Sequence, residues 1–150
     1  MSRALRPSIL DDLGLIPALR SEATALARRT GLGVWFGVLG TPRSLAPEVE
    51  LMLLRVMQEA LHNIDRHAGA TRVTVRVAFG RGRSYLVIRD DGRGPGAIGS
   101  APQLLEAGKL GVVGMEERAR LVGADLDITE NVRGGTSVRV SVPDVTPVGP

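Results

Sequence analysis

The chain has 150 residues, of which 43% are hydrophobic and 23% charged, and this is enough for one domain with a buried core. It contains no cysteine, which excludes a disulfide framework, a thiol nucleophile and a zinc–cysteine site. The net charge is only +3, and the arginines are scattered without aromatic residues between them, so we expect an anionic small ligand and no nucleic acid.

The sequence contains no segment that points to a membrane. No run approaches the roughly 18 apolar residues of a membrane span, and the N-terminus lacks the pattern of a signal peptide. We therefore expect a soluble, cytoplasmic protein without membrane contact by this chain.

Residues 1–68 are predicted to form helices and one short strand. Residues 1–32 are mostly helical in pattern, with Gly31 as the stop, and residues 33–39 form a strand. A longer helix begins at Pro47, because proline at the first helical position costs no hydrogen bond, and it extends to Ala68.

This long helix separates an apolar face from a polar face. Because an α-helix turns by about 100° per residue, one side carries an apolar stripe that consists of Leu54, Met57, Leu61, Ile64 and Ala68. A carboxylate, an amide, a guanidinium and an imidazole share the other side, and they belong to Glu59, Asn63, Arg66 and His67. An ordinary surface helix also carries polar residues there, so the face alone does not identify a site.

The second half of the chain contains four strand patterns, a long loop and one helix. Alternating valines predict a strand over 71–79, and a glycine-rich turn leads into a more apolar strand at 85–89. Residues 90–110 are predicted to form a binding loop or lid, residues 112–122 a helix, and two more strands lie near 124–129 and 138–142.

In three of the strands apolar and polar side chains alternate, and this predicts a sheet with one solvent-exposed face and one covered face. The helices at 47–68 and 112–122 supply the cover. We therefore expect an α+β two-layer sandwich with a mixed or antiparallel sheet, followed by a flexible tail at 144–150.

The apolar strand at 85–89 is followed by a carboxylate and alternate glycines, at Asp90, Gly92 and Gly94. A carboxylate can accept a hydrogen bond from an exocyclic amine, and glycine lets a flat base approach the backbone. Adenine presents such an amine, whereas guanine presents a carbonyl oxygen there. Asp and Gly are also the residues expected in a tight turn, and the motif taken alone favours that alternative.

Two further stretches are candidates for ligand binding. Residues 108–115 place glycines and Lys109 at the predicted start of a helix, where backbone N–H groups can bind phosphate oxygens. The turn at Gly134 and Gly135 precedes Thr136, whose hydroxyl can reach a ligand. A flexible loop and an ordinary hairpin are the respective alternatives.

In order and spacing, these motifs resemble those of the ATP-binding domain of two-component sensor histidine kinases, which has the Bergerat fold of the GHKL ATPases. Residues 59–68 resemble the N box, residues 90–94 the first glycine box, residues 111–119 the second, and Gly135-Thr136 the last. The resemblance covers residues 46–142 and implies a mixed sheet covered on one face by helices.

The resemblance implies a role for each matching residue at the phosphate end. Asn63 is expected to hold Mg²⁺ between the phosphates of ATP, while Arg66 and His67 neutralise phosphate charge. Glu59 matches the general base of hydrolytic relatives, and in a kinase we expect it to position groups instead. Lid residues near the phosphates would be Lys109, Gly111, Val113, Gly114 and Met115.

At the base end, the resemblance implies that Asp90 binds the adenine amine, with Gly92, Gly94 and Thr136 lining the pocket. The sequence departs from the family at two positions. Lys109 replaces a usual glycine, and Pro95 stands where phenylalanine is common. Both departures concern the lid.

The opening segment, from Leu5 to Leu15, resembles the end of the dimerisation domain in the subfamily that pairs with LuxR-type response regulators. This implies that residues 1–32 are the end of that domain with a linker helix, and that residues 33–143 are the ATP-binding catalytic domain. Neither His62 nor His67 has the sequence context of the family's phosphoacceptor, so the acceptor histidine is expected outside this chain.

The expected function is transfer of the γ-phosphate of Mg-ATP to that histidine, on a dimerisation domain in the parent protein or in trans. The alternative is a nucleotide-dependent regulator that resembles an anti-sigma factor, and that binds a partner or phosphorylates serine.

Overall fold

The computed structural model of the chain describes residues 7–92, 102–132 and 134–144, with the backbone alone at 67–68 and 102–109. The helices are α1 (Ser8–Leu13), α2 (Leu15–Thr30), α3 (Pro47–Asn63) and α4 (Pro102–Leu121), and α3 continues into a π-helical turn, Ile64–Ala68. The strands are β1 (Gly33–Leu39), β2 (Arg72–Phe79), β3 (Arg83–Asp90), β4 (Asp125–Glu130) and β5 (Thr136–Pro143).

The strands form one mixed sheet in the order β1-β2-β3-β5-β4. β1 runs parallel to β2, and α3 makes the crossover connection that a parallel pair requires. The other three neighbouring pairs are antiparallel. The predicted mixed sheet is confirmed.

Side-chain alternation decides which face of the sheet is covered. In β2 the side chains of Val73, Val75 and Val77 are buried, whereas Arg72 and Arg76 point to the open face. The valines share one hydrophobic core with α3, in which Leu54, Val56 and Met57 are at most 1% exposed. Burying a side chain of this size contributes about 1.5–3 kcal/mol. The predicted two-layer sandwich with one covered face is confirmed.

The N-terminal helices belong to the same core. Leu19 and Leu26 of α2 are buried together with side chains of α3. Arg29, near the end of α2, forms an ion pair of 3.1 Å with Asp65 in the π-helical turn. Gly31 ends α2 in the left-handed conformation, with a φ of 76°, as the sequence predicts.

The open face of the sheet brings arginines and aromatic rings together in space. The guanidinium of Arg76 lies 5.5 Å from the ring centre of Trp35, and that of Arg139 lies 4.9 Å from Tyr85. Both are cation–π contacts. The arginines and aromatic residues are separated along the sequence but not in the fold, and each of these two rings already has a cationic partner from its own chain.

One predicted boundary is wrong. The sequence predicts a loop over 90–110 and a helix from 112, but α4 already begins at Pro102. Proline suits the first helical turn, and residues 103–107 are good helix formers. These preferences prevail although three glycines follow inside the helix, each costing about 1 kcal/mol relative to alanine.

The chain is anchored at the end of β5. The backbone N–H of Asp144 donates to the carbonyl oxygen of Gly82 at 2.8 Å, and its carboxylate pairs with Arg43 at 3.0 Å. Residues 145–150, the rest of the predicted tail, lie outside the described residues.

The close approach of β3 and β5 at Gly135 leads to a first prediction. Gly135 has a φ of 93°, and a Cβ there would overlap the carbonyl oxygen of Asp90 and lie 2.7 Å from its carbonyl carbon. We expect Gly135→Ala to lower the free energy of unfolding by more than the roughly 1–2 kcal/mol of left-handed backbone strain, because β5 must also move.

Gly82→Ala is the matched control, since Gly82 has a φ of 78° and a Cβ there would meet nothing within 4 Å. Urea unfolding followed by circular dichroism measures both variants. Equal losses would contradict the importance of the close approach.

Candidate functional site

Among the described residues, Asp90 is the one acidic residue whose side chain is buried. It ends β3, is 7% exposed and lies on the covered face opposite Val73. The backbone N–H of Gly92 donates to its Oδ1 at 2.8 Å, and the backbone N–H of Thr136 also donates to this carboxylate. The end of β3 and the start of β5 therefore hold one carboxylate between them.

The surroundings of Asp90 oppose its ionisation. Burial raises the pKa of this carboxyl above its ordinary value of 3.8, and the neighbouring Asp91 raises it further, while the hydrogen bonds from Gly92 and Thr136 lower it. Two backbone donors do not use all the lone pairs of a carboxylate, so the group can accept another hydrogen bond from a ligand. A shifted pKa at a strand end is a common feature of functional sites.

The turn between β4 and β5 binds the backbone of Asp90. The side-chain amide of Asn131 donates to the carbonyl oxygen of Asp90 at 3.3 Å, and its oxygen accepts from the hydroxyl of Ser137 at 2.7 Å. The backbone closes the turn, because the N–H of Asn131 donates to the carbonyl of Gly135 at 2.9 Å. Asn131 is not among the predicted site residues, although asparagine is a typical residue of a glycine-containing turn.

The carboxylate of Asp91 also accepts hydrogen bonds, and Asp91 too is absent from the predicted site residues. Its Oδ1 accepts from the backbone N–H groups of Thr71 at 2.8 Å and Arg72 at 2.9 Å. Its Oδ2 accepts from the hydroxyl of Thr71 at 2.6 Å. The hydrogen bonds from Thr71 and Arg72 lower the pKa of Asp91 to about 2. The signal in the sequence was a second aspartate directly after the strand.

The predicted polar face of α3 is regular only as far as Asn63. Glu59 and Asn63 lie one helical turn apart, and both are half-buried. The π-helical turn that follows takes an extra residue per turn, so Arg66 and His67 do not keep the α-helical angles relative to Asn63. The guanidinium of Arg66 lies 3.3 Å from Nε2 of His62.

The second glycine-containing stretch lies inside α4 instead of at its start. Backbone N–H groups in a helix interior bond to carbonyl groups four residues earlier, so the phosphate-binding helix start predicted at Gly111 and Gly114 is not formed in this structure. A Cβ on Gly111 would overlap Oε2 of Glu59 and lie 3.0 Å from its Cδ, whereas Gly114 has open space around it. α4 therefore lies close to α3 where Gly111 meets Glu59.

The remaining predicted residues differ in their surroundings. Met115 is 2% exposed and belongs to the hydrophobic core, whereas Val113 is 58% exposed. Lys109 is described by its backbone alone, as is His67, and Gly94 lies outside the described residues. Within the described part of the chain, no group of three or more histidine, aspartate or glutamate side chains is arranged to hold a metal ion.

The structure therefore gathers the predicted residues at two places. Asp90, Gly92 and Thr136 meet where β3 ends, and Glu59 meets Gly111 where α3 and α4 cross.

Comparison with known proteins finds a matching family model and similar curated proteins. A family model described as "Histidine kinase-, DNA gyrase B-, and HSP90-like ATPase" matches residues 48–146. The chain is 34% identical over 142 residues to the signal transduction histidine-protein kinase/phosphatase DegS of Brevibacillus brevis, covering 95% of this chain and 36% of that protein. It is 33% identical over 147 residues to the oxygen sensor histidine kinase NreB of Staphylococcus carnosus, covering 95% and 40%. The chain spans about two-fifths or less of the length of these curated relatives.

Solved structures share the fold. The Erythrobacter litoralis EL346 blue-light activated histidine kinase superposes with a TM-score of 0.66 at 25% identity, covering 87% of this chain and 45% of that one. The ATP binding domain of PrrB from Mycobacterium tuberculosis gives a TM-score of 0.66 at 23% identity, covering 87% and 94%. At 23% identity, the similarity to the PrrB domain shows a shared fold and nothing further. The predicted fold class is confirmed.

The raised pKa of Asp90 gives a stability prediction with a definite sign. A carboxyl whose folded pKa exceeds its unfolded value costs stability when it is ionised, and this cost disappears as the pH falls below the unfolded pKa, here 3.8. We therefore expect Asp90→Asn, without nucleotide, to unfold at pH 7 at a temperature no lower than the wild type.

Thermal unfolding of the wild type and Asp90→Asn at pH 7 and at pH 4 measures this effect, and any gain should shrink at the lower pH. A lower melting temperature for Asp90→Asn at pH 7 would show that the ionised carboxylate stabilises the free protein.

Proposed function

The chain belongs to the family of histidine kinase-, DNA gyrase B- and HSP90-like ATPases, and we propose that it binds Mg-ATP and donates the γ-phosphate to a histidine. That histidine lies on a dimerisation domain outside this chain, in the parent protein or in trans. The observation that carries the proposal is the carboxylate of Asp90, which is buried at a strand end and held by two backbone N–H groups within the matched residues.

In this proposal Asp90 selects adenine. Its carboxylate accepts a hydrogen bond from the exocyclic amine, and the backbone N–H groups of Gly92 and Thr136 keep it in the orientation to do so. Guanine would present a carbonyl oxygen at that place, and two acceptors would then face each other. Gly92, Gly94 and the hydroxyl of Thr136 line the pocket of the base.

The phosphates bind at the end of α3, where Arg66 and His67 would neutralise their charge. Lys109 of α4 would add a further positive charge. Asn63 would hold Mg²⁺, and its amide oxygen is a hard ligand of the type that this ion prefers. One protein oxygen is sufficient, because Mg²⁺ commonly keeps several waters and completes its shell with substrate phosphates. The bound ion neutralises charge that develops on the transferred phosphoryl group.

Phosphoryl transfer depends mainly on positioning and electrostatics. Glu59 is half-buried beside Asn63 and contacts the backbone of α4 at Gly111. We assign Glu59 the role of orienting groups around the γ-phosphate. Val113 and Gly114 belong to the lid with Gly111, while the buried Met115 anchors the lid to the core.

Further parts of the proposal concern the parent protein. In this proposal residues 1–32 are the end of a dimerisation domain with a linker helix, and residues 33–143 form the catalytic domain. The partner downstream is a LuxR-type response regulator. No helix in the described part of the chain is long and apolar enough to cross a membrane. We propose that the domain acts in the cytoplasm, where ATP is available.

The first test addresses base recognition. Asp90→Asn replaces an acceptor with a group that can turn a donor towards the adenine amine, and we expect a loss of ATP affinity of about 10- to 150-fold. Isothermal titration of the wild type and the variant with ATP and GTP measures it. Unchanged ATP affinity, or equal wild-type affinity for both nucleotides, would reject this site.

The second test addresses the metal. Asn63→Ala should lose much more ATP affinity in the presence of Mg²⁺ than in EDTA, because only the metal-dependent part of binding uses the amide oxygen. Asp127→Ala, which changes an exposed residue of β4, serves as the control. Equal losses for Asn63→Ala in both buffers would refute a role for Asn63 in holding the metal.

The third test addresses the reaction. The chain is incubated with labelled ATP and a dimerisation domain from a related kinase, and the acid stability of any phosphoprotein is measured. Acid-labile phosphohistidine is the expected product. Acid-stable phosphoserine on an added partner would favour the anti-sigma-factor-like regulator, and the absence of any transfer would reject kinase activity.

A further inference from the structure

One side chain ties together the two chain segments that carry the two ends of the proposed nucleotide site. Asp91 follows the adenine-side carboxylate of Asp90 directly in the sequence. Through its three hydrogen bonds it contacts Thr71 and Arg72, at the start of β2. Its own backbone N–H also donates to the carbonyl of Arg72, at 3.3 Å.

The segment that Asp91 contacts comes from the phosphate side. Asn63 ends α3, the π-helical turn follows, and only residues 69 to 71 separate this turn from β2. Thr71 is therefore joined to Arg66 and Asn63 by a short stretch of chain, and a fixed position of Thr71 limits where these two residues can lie. Gly33 adds a second link, because its N–H donates to the carbonyl of Thr71 at 3.1 Å and ties this point to β1.

The bonds of Asp91 are well suited to fixing a position and poorly suited to stabilising the whole fold. Both carboxylate oxygens are used, and hydrogen bonds to an ionised group are short and directional. Asp91 is nevertheless exposed, and interactions of exposed charges contribute little to the free energy of unfolding. Its loss should thus affect geometry more than stability.

We propose that Asp91 is a positioning residue, which holds the segment after Asn63 at a fixed place relative to Asp90 so that base and phosphates bind at once. The inference rests on the proposed nucleotide site. A ligand that spans both ends gains affinity only if both can be engaged together, and this gain is lost when their relative position varies. The affinity of a ligand that reaches only the base end does not depend on the relative position of the two ends.

The experiment compares two ligands on the same variants. We expect Asp91→Ala to lower the affinity for Mg-ATP about tenfold or more, and the affinity for adenosine by less than about twofold. Isothermal titration measures Mg-ATP binding, and nuclear magnetic resonance titration of the amides of Gly92 and Thr136 measures adenosine binding. Melting temperatures show that each variant is folded.

Two conservative variants and one control accompany Asp91→Ala. Asp91→Asn keeps an oxygen for the N–H groups of Thr71 and Arg72, so it should recover most of the Mg-ATP affinity. Thr71→Val removes the hydroxyl donor alone and should lose less than Asp91→Ala. Asp127→Ala removes an exposed carboxylate elsewhere on the sheet and should bind both ligands as the wild type does.

The pKa of Asp91 defines the pH range in which its contact with Thr71 and Arg72 is complete. The folded pKa of Asp91 is lowered to about 2 from 3.8. Its contribution to stability is therefore complete above the unfolded pKa and is lost as the pH falls towards 2. The contact should therefore be complete throughout the range of about pH 5 to pH 8, in which the binding experiments are made.

Equal losses for adenosine and Mg-ATP in Asp91→Ala, or no loss for either, would overturn the positioning role. So would an Asp91→Asn variant as weak as Asp91→Ala. If instead the wild type bound neither ligand, or Asp90→Asn bound ATP normally, the nucleotide site itself would be refuted and this inference would fall with it. The two failures are thus distinguishable.

Discussion

The proposed site depends on one buried carboxyl group and on the backbone that tolerates it. Placing Asp90 on the largely apolar covered face of the sheet costs free energy when its carboxyl group is ionised, as its raised pKa indicates. Donors from Gly92 and Thr136 reduce that cost, and both lie on chain segments that must approach β3 closely. The local backbone around the end of β3 is therefore arranged to keep a carboxylate available where hydrophobic side chains would be more stable.

This constraint explains several features that have no obvious role when considered separately. The left-handed Gly135 allows β5 to begin against the backbone of Asp90, where any side chain would collide. Asn131 joins the preceding turn to the same carbonyl group. The glycines and the asparagine of this hairpin thus do more than reverse the chain, since they set the position at which the donor from Thr136 reaches the carboxylate. Functional sites commonly keep such locally unfavourable arrangements, supported by their surroundings.

The other half of the proposed site is built differently. At the end of α3 the helix widens into a π-helical turn, and α4 comes close enough that Gly111 contacts Glu59. Here the glycines of α4 lie inside a continuous helix, where each of them weakens the helix. Asp91 contacts Thr71 and Arg72, and in our proposal this contact joins the two halves into one site.

The sequence by itself determined the covered face, the two-layer architecture and the carboxylate at the end of β3, because alternation and turn chemistry are local properties of the chain. These patterns left the sheet as mixed or antiparallel, and only the family resemblance implied that it is mixed. The sequence also supplied four motifs whose order resembles that of sensor histidine kinases, and a family model that includes histidine kinases matches residues 48–146. Only the tertiary structure decided where α4 begins, how the π-helical turn places Arg66, and which partners Asn131 and Asp91 find. The decisive contacts join residues 41 and 20 positions apart. Contacts of that kind depend on which strands become neighbours, and no local pattern records this.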